Sequence, residues 1–503
     1  MNALRTLLVT VTGALLLLPI NAVAATKNVI IGFHRAPAAH EENLVHGARG
    51  RIHRTHRHIS AISAELPEEE IARLKKDPSV AYVVDNITFT LIRPVEPLSV
   101  ASPEYVDSWG VLRIGSDTAA SRGFKGAGIK VAIVDSGIDY NHPDLKDNYR
   151  GGYNFVANNS DPYDDDFQSH GTHVAGVVAA RDNGTGVVGV APAASLYAVK
   201  VFGANNTGGD MDMVVAGIEW AIDNKMDVVN LSIGYSGDIY SVYPDYFKPL
   251  KDACDMAYQA GIVLVAAAGN DDREIVSVPA AFDSVIAVAA TDQNDQRAVF
   301  AAPYASSYGS QVELAAPGTF IKSTVSGGGY ALLSGTSQAA PHVAGAAAVL
   351  LSTGIADGNG DGSRADEVRA KLATTAKDLG DPGRDKYFGW GLVDLAAATA
   401  ASESYRLHLV RMGRSPKRDM QSIILGKGNY SMVIKNGGLE RIVAKAAEGD
   451  SFKFAQLYSY SFSSALQEVT FSVALDGVQT ELAFFPGGEV GASADLTITR
   501  LNQ

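Results

Sequence analysis

Cysteine is nearly absent from this chain. Cys254 is the only one, so no internal disulfide can brace the fold. An excess of positive charge is also missing: the formal net charge is −13, which argues against nucleic acid as a partner. After residue 20 no apolar run is long enough to cross a membrane. No G-x-x-x-x-G-K-S/T loop occurs, which removes a phosphate-cradling nucleotide site. The remainder, 46% hydrophobic and 19% charged over 503 residues, suits several packed globular domains.

Residues 1–25 carry Arg5, an apolar core from Leu7 to Ile20, and the small residues Ala22-Val23-Ala24. The core is short for a span, so the segment reads as a cleaved signal peptide that leads to secretion, extracellular or periplasmic. Cys254 lies in a helical run, Ala253 to Ala260, and reads as a buried apolar side chain.

Three distant stretches carry chemistry. LLSGTSQAAPHVAGAAAVLL, Leu332 to Leu351, places Ser337 after a turn of small residues and before a small, apolar helical run. Its one proline, Pro341, is expected in the helix's first turn, where no donor is lost. By itself this stretch is equally a core helix with an N-cap serine. IKVAIVDSGID, Ile129 to Asp139, is a buried strand ending in Asp135, and ligands of open parallel sheets sit beyond such strand ends. SHGTHVAG, Ser169 to Gly176, offers His170 and His173. A carboxylate, a histidine and a serine in this order can form a nucleophilic triad. The other apolar runs are Leu196–Val201, Val228–Leu231, Ile262–Ala267, Val285–Ala290 and Val312–Leu314, read as buried parallel strands with helices on both faces.

Together, D-S-G-I-D, H-G-T-H-V-A-G and G-T-S-x-A-A-P-H-V-A-G resemble the subtilisin family of serine peptidases. The resemblance implies an α/β fold with a doubly wound, mostly parallel sheet over residues 104–400, closing with FGWGLVDLAAA and a last helix starting at Gly389–Gly391. It implies a serine endopeptidase acting on protein or peptide substrates. Asp135, His170 and Ser337 would be the triad, and Asn270, after the strand end Ala266–Gly269, would stabilise the oxyanion. Ser232, Ile233 and Gly234 would pair with substrate, Tyr235 standing where a second glycine is usual. With Ala267, Ala268 and Gly269 opposite and Ser277 and Val278 at the base, the first pocket would favour apolar or aromatic residues. Gln338 replaces the family's usual methionine beside the nucleophile, a change expected to affect oxidation sensitivity only.

Structural Ca2+ is implied as well. Asp144, the Asn183 side chain and the carbonyls of Arg181, Thr185 and Val187 match the family's shared site, with Asp107 as a further ligand. The acidic run Asp161–Asp166 is a weaker candidate. Asp357, Asn359 and Asp361 form the front half of an EF-hand loop, with Val368 at the twelfth position and Glu367 one residue early. A flexible polar turn is the rival reading.

Residues 26–100 resemble the family's inhibitory propeptide, a small α/β (ferredoxin-like) unit acting as an intramolecular inhibitor, its last segment from Thr90 lying through the active site. Six histidines lie in this unit, interleaved with Arg49, Arg51, Arg54 and Arg57; a solvated basic hairpin and a pH-released inhibitor are both open. Residues 405–503 read as a small all-β domain, an antiparallel sandwich with hairpin signals at Asn436-Gly437 and Asp476-Gly477.

Overall fold

The computed structural model describes residues 25–92, 108–204 and 207–400, together with strands between 404 and 501. The signal-like segment and Asp107 lie outside the described residues. The chain divides into two units after Asn86.

The first unit is a four-stranded antiparallel sheet in the order Arg51–Thr55, Ala61–Pro67, Thr26–Phe33, Val80–Asp85. Val29, Ile31 and Phe33 alternate onto one face and pack with Val45, Ile62, Leu66 and Leu74. The helices Ala39–Gly47 and Glu68–Leu74 both carry acids in their first turn, where the helix dipole favours negative charge. Arg51–Thr55 pairs antiparallel with Ala61–Pro67 as a largely solvated hairpin, one of the two readings open for this basic stretch, though the strand itself has no apolar signal. Its arginines hide the pattern, and Arg51 pairs across the sheet with Glu65 at 2.8 Å.

The second unit centres on a seven-stranded sheet. Its order is Val312–Pro317, Val285–Thr291, Val263–Ala267, Val228–Leu231, Lys130–Asp135, Ser195–Lys200, Tyr149–Asn154, and every neighbouring pair is parallel. Tyr149–Asn154 was not foreseen: it is an edge strand with two glycines and no apolar run. Val131 and Ile133 join the cluster formed with the helices His170–Ala179 and Thr336–Ser352. Val134 points the other way, toward Gly217 in the helix Met211–Asp223. Helices therefore cover both faces, as a buried parallel sheet requires. The Thr336–Ser352 helix is buried from Thr336 through Leu351, which explains its run of alanine and glycine.

Three local expectations need correction. Pro341 lies in the second turn of its helix, because the helix begins at Thr336. It supplies no N–H to the Ser337 carbonyl, and that oxygen instead accepts from Ser232 Oγ at 2.9 Å. The segment Gly389–Val393 does not start a helix. It runs along the outer edge of Val312–Pro317, with Trp390 N donating to Glu313 O and Val393 N to Ala315 O, and the last helix begins at Leu395. In the C-terminal part, the described strands form one six-stranded antiparallel sheet, not two packed sheets. Asp476-Gly477 lies inside the continuous strand Glu468–Gly487 and is absorbed as an irregularity opposite Gly426–Gly428. Asn436 ends a strand, but the next strand, Arg441–Ala447, pairs elsewhere.

Gly389 has φ +61°, and a Cβ there would lie 2.2 Å from the Glu313 backbone. Gly389→Ala should therefore destabilise the fold by about 1–3 kcal/mol through backbone strain. Thermal unfolding checks this, and an unchanged midpoint would contradict the edge packing.

Candidate active site

The Lys130–Asp135 strand ends with Asp135 fully buried at the carboxyl edge of the sheet. His170 opens the His170–Ala179 helix, and its Nδ1 lies 2.8 Å from Asp135 Oδ1. Ser136 N also donates to that oxygen at 2.7 Å. A carboxylate at Nδ1 holds the imidazole with a proton there and turns Nε2 into the basic nitrogen. Ser337 is the second residue of the Thr336–Ser352 helix, so its hydroxyl lies at the positive end of the dipole.

Asn270 follows the strand Val263–Ala267. Its Oδ1 accepts from both Thr336 N and Thr336 Oγ1, each at 2.9 Å. A backbone N–H can only donate, so the amide orientation is set, with Oδ1 toward Thr336 and the Nδ2 donor on the other side. Ser232 is tied beneath the nucleophile by Asn230 Nδ2 at 2.9 Å.

A chain segment of this same unit fills the cleft. Thr90 and Leu91 pair antiparallel with Gly234 and Ile233, and Ile92 N reaches Ser232 O at 3.4 Å. On the other side Phe89 N donates to Gly209 O at 2.6 Å, and Met211 N to Ile87 O at 2.7 Å. The Ile92 carbonyl oxygen is 2.5 Å from Ser337 Oγ. A Cβ at Gly234 would meet Ile92 Cδ1 at 2.9 Å and Ser277 Cβ at 3.1 Å, so the Ile92 side chain lies over Gly234 beside Ser277. A Cβ at Gly269 would lie 2.7 Å from Ser277 Oγ, which brings the Ala267–Gly269 turn to the same place. Tyr235 stands apart from this pocket. Its backbone pairs with Val278, while its ring packs at 5.6 Å from Phe89 and 5.5 Å from Phe247. Phe247 and Gly209 were not legible as cleft residues, since no motif surrounds them.

With this geometry in place, the comparisons are specific. A model of the subtilase family matches residues 126–391. The chain belongs to the subtilase family. Subtilisin NAT of Bacillus subtilis subsp. natto is 40% identical over 382 residues, which cover 74% of this chain and 90% of the relative. Subtilisin E of Bacillus subtilis strain 168 matches with the same figures. A thermostable alkaline protease of Halalkalibacterium halodurans is 41% identical over 341 residues, 68% of this chain and 83% of the relative. This subtilase is a serine endopeptidase. Among its described residues no helix is long and apolar enough to cross a membrane.

Asp144 is fully buried in the subtilase. Its carboxylate accepts from Tyr330 OH at 2.8 Å, Val187 N at 3.2 Å and Asn183 Nδ2 at 3.0 Å. The Arg181–Val187 loop thus wraps this acid. Among the described residues no three His, Cys, Asp or Glu side chains gather as metal ligands, so a cation here would draw on carbonyl oxygens of Arg181, Thr185 and Val187. One buried carboxylate, an amide beside it and a carbonyl-bearing loop suit a hard dication. In the second loop, Asp357 accepts from Gly360 N and Gly362 N, Asp361 from Ser363 N, and Asn359 Nδ2 donates to Asp366. Val368 is buried in the core, which explains why the acid at the end of the loop is Glu367, whose carboxylate takes Gly358 N at 2.8 Å. In the 161–166 run, Tyr140 OH donates to Asp161, and Asp165 pairs with Lys200.

His173 and His342, outside the proposed triad, are fully buried. Burial pushes His173 down to about 3 and His342 down to about 4. His173 Nε2 donates to Ile321 O and Ala331 O, and His342 Nδ1 to Gln338 O, so both rings serve packing as neutral groups. Their contribution is complete above the unfolded value of about 6.5 and is lost as pH falls through 4 and on toward 3. Burial pushes Asp164 the opposite way, up to about 6, and acid relieves that cost; the two larger histidine shifts outweigh it. The melting temperature should therefore fall as pH is lowered from 7 to 4. A flat or rising midpoint over that range would refute this balance.

Proposed function

We propose that the subtilase is secreted as a zymogen and that Asp135, His170 and Ser337 carry out its peptide hydrolysis. Ser337 attacks the carbonyl carbon of the bound peptide, and His170 takes the hydroxyl proton, then passes it to the leaving amine. Asp135 keeps the imidazole in the required tautomer and stabilises the imidazolium. Asn270 and the Ser337 N–H receive the oxyanion; a donor of this kind is worth on the order of 10²–10³ in turnover. Water then hydrolyses the acyl-enzyme. Peptide substrates would enter as Phe89–Ile92 does, between the Gly209–Met211 and Ser232–Gly234 backbones, with an apolar side chain over Gly234. A non-catalytic binding protein on this fold is the rival reading. It is disfavoured because none of the three reacting residues is replaced.

The observation that carries the zymogen reading is the Ile92 carbonyl at Ser337 Oγ. Residues 26–92 would fold as the inhibitory propeptide, with the Ile92–Arg93 bond cut by the enzyme itself. Ser337→Ala should then accumulate as a precursor lacking only its signal peptide, while the parent protein from the same protease-deficient host should begin at Arg93. Clipping of Ser337→Ala at the same bond would exclude self-processing, and a parent N-terminus elsewhere would move the bond.

Ca2+ would be held by Asp144, Asn183 and the Arg181, Thr185 and Val187 carbonyls, where its charge offsets the buried Asp144 carboxylate. The Asp357, Asn359 and Asp361 loop is the weaker second candidate. Binding to the folded state alone stabilises it by mass action, so EDTA should lower the melting temperature and added Ca2+ restore it. Identical melts with and without chelator would remove the Asp144 site.

A further inference from the structure

The helix that carries His170 has an unusual beginning. Its cap residue, Ser169, has φ +53° and makes no side-chain cap. The first three N–H groups are taken by side chains from elsewhere. His170 N donates to Asp166 Oδ2 at 3.4 Å, Gly171 N to Ser136 Oγ at 2.9 Å, and Thr172 N to Asp164 Oδ2 at 2.9 Å. Ser136 is the residue after Asp135, so the helix is docked by its own N–H groups onto the turn that holds the triad carboxylate.

Asp164 links the two sides. Its Oδ1 accepts from Ser136 Oγ at 2.9 Å and from Asp166 N at 3.1 Å. Its Oδ2 accepts from Thr172 N and, at 2.6 Å, from Thr172 Oγ1. The side chain is buried. Because its Oδ1 takes the Ser136 proton, the Ser136 oxygen is turned to receive Gly171 N. The nearby charges are otherwise matched: Lys200 Nζ donates to the Ser136 carbonyl and pairs with Asp165 at 2.7 Å, and Asp139 takes Asn141 N and Gly327 N.

We infer that Asp164 is a positioning residue of the peptidase reaction: its carboxylate ties the turn after Asp135 to the first turn of the His170 helix and so sets the Asp135–His170 contact. It touches neither substrate nor reacting atoms. The inference rests on the triad reading proposed above. It goes beyond a helix cap because the same carboxylate orients Ser136, and Ser136 N in turn holds Asp135 Oδ1. Both carboxylate oxygens face a backbone N–H, one from Asp166 and one from Thr172. Asparagine therefore cannot substitute: in either orientation its NH₂ meets an N–H that can only donate.

The test is Asp164→Asn beside Ser136→Ala and His170→Ala, each freed of its propeptide in trans by parent enzyme, separated from it, and assayed with a peptide substrate. Asp164→Asn should lower kcat on the order of 10–100-fold, the scale of a slight misplacement of a catalytic group, with KM nearly unchanged. Ser136→Ala removes the bridging hydroxyl but leaves the Thr172 bonds, so it should fold normally and lose less of kcat in the same sense. In proton NMR the downfield His170 Nδ1–H resonance of the parent should shift or broaden in both variants. If Asp164→Asn does not fold, Ser136→Ala decides. Parental kcat with an unmoved resonance in the folded variants would overturn the inference, as would a loss confined to KM. Parental activity in His170→Ala would instead overturn the triad reading itself, a failure separable from that of Asp164.

Discussion

A carboxylate withdrawn from water must be met by donors, and the Asp135 end of the central strand shows how far that requirement reaches. Asp135 is fully buried, with Ser136 N and His170 Nδ1 on the same oxygen. An ion in such a place is tolerable only when hydrogen bonds replace its hydration. The helix that supplies His170 is held in turn by Ser136, Asp164 and Asp166. Both donors fall on Oδ1, while Oδ2 meets no protein donor among the described residues, so the site is less a set of three residues than a set of N–H groups and carboxylates fixed around that one oxygen. That matching needs rigid elements, and the parallel sheet supplies them.

The cleft follows a different logic. The Phe89–Ile92 segment is held mainly through its backbone, between the short strand Ile233–Gly234 and the loop at Gly209, so recognition there is largely indifferent to side-chain identity. Selectivity enters where side chains alternate out of the strand. Ile92 lies over Gly234, where only a hydrogen leaves room, and Phe89 meets the Tyr235 and Phe247 rings. Tyr235, which replaces an expected glycine, acts at the more distant of these two positions.

Much of the fold was legible, for identifiable reasons. Buried parallel strands are continuous apolar runs, and six of the seven central strands announced themselves in that way. The seventh, Tyr149–Asn154, is an edge strand and carries no such run. Turn signals failed where a longer strand overrode them: Asp476-Gly477 is stretched through because residues on both sides find partners on the same neighbour. The FGWGLVD segment was read as helical from its end, yet its backbone donors find the sheet edge first.

The sequence by itself determined the chemistry on offer: an acid at a strand end, a histidine opening a helix, a serine after a turn of small residues, in a fixed order. It determined their local settings too, because strand and helix periodicities need only neighbouring residues. What it could not determine was which polar groups would face each other, as Asp135 and His170 do across 35 positions. Asp164 lies in an acidic run with nothing in its local pattern to mark it, and Tyr330 and Phe247 carry no motif. Their roles were decided by the tertiary structure, since hydrogen-bond matching and side-chain packing depend on distances that only the folded chain defines.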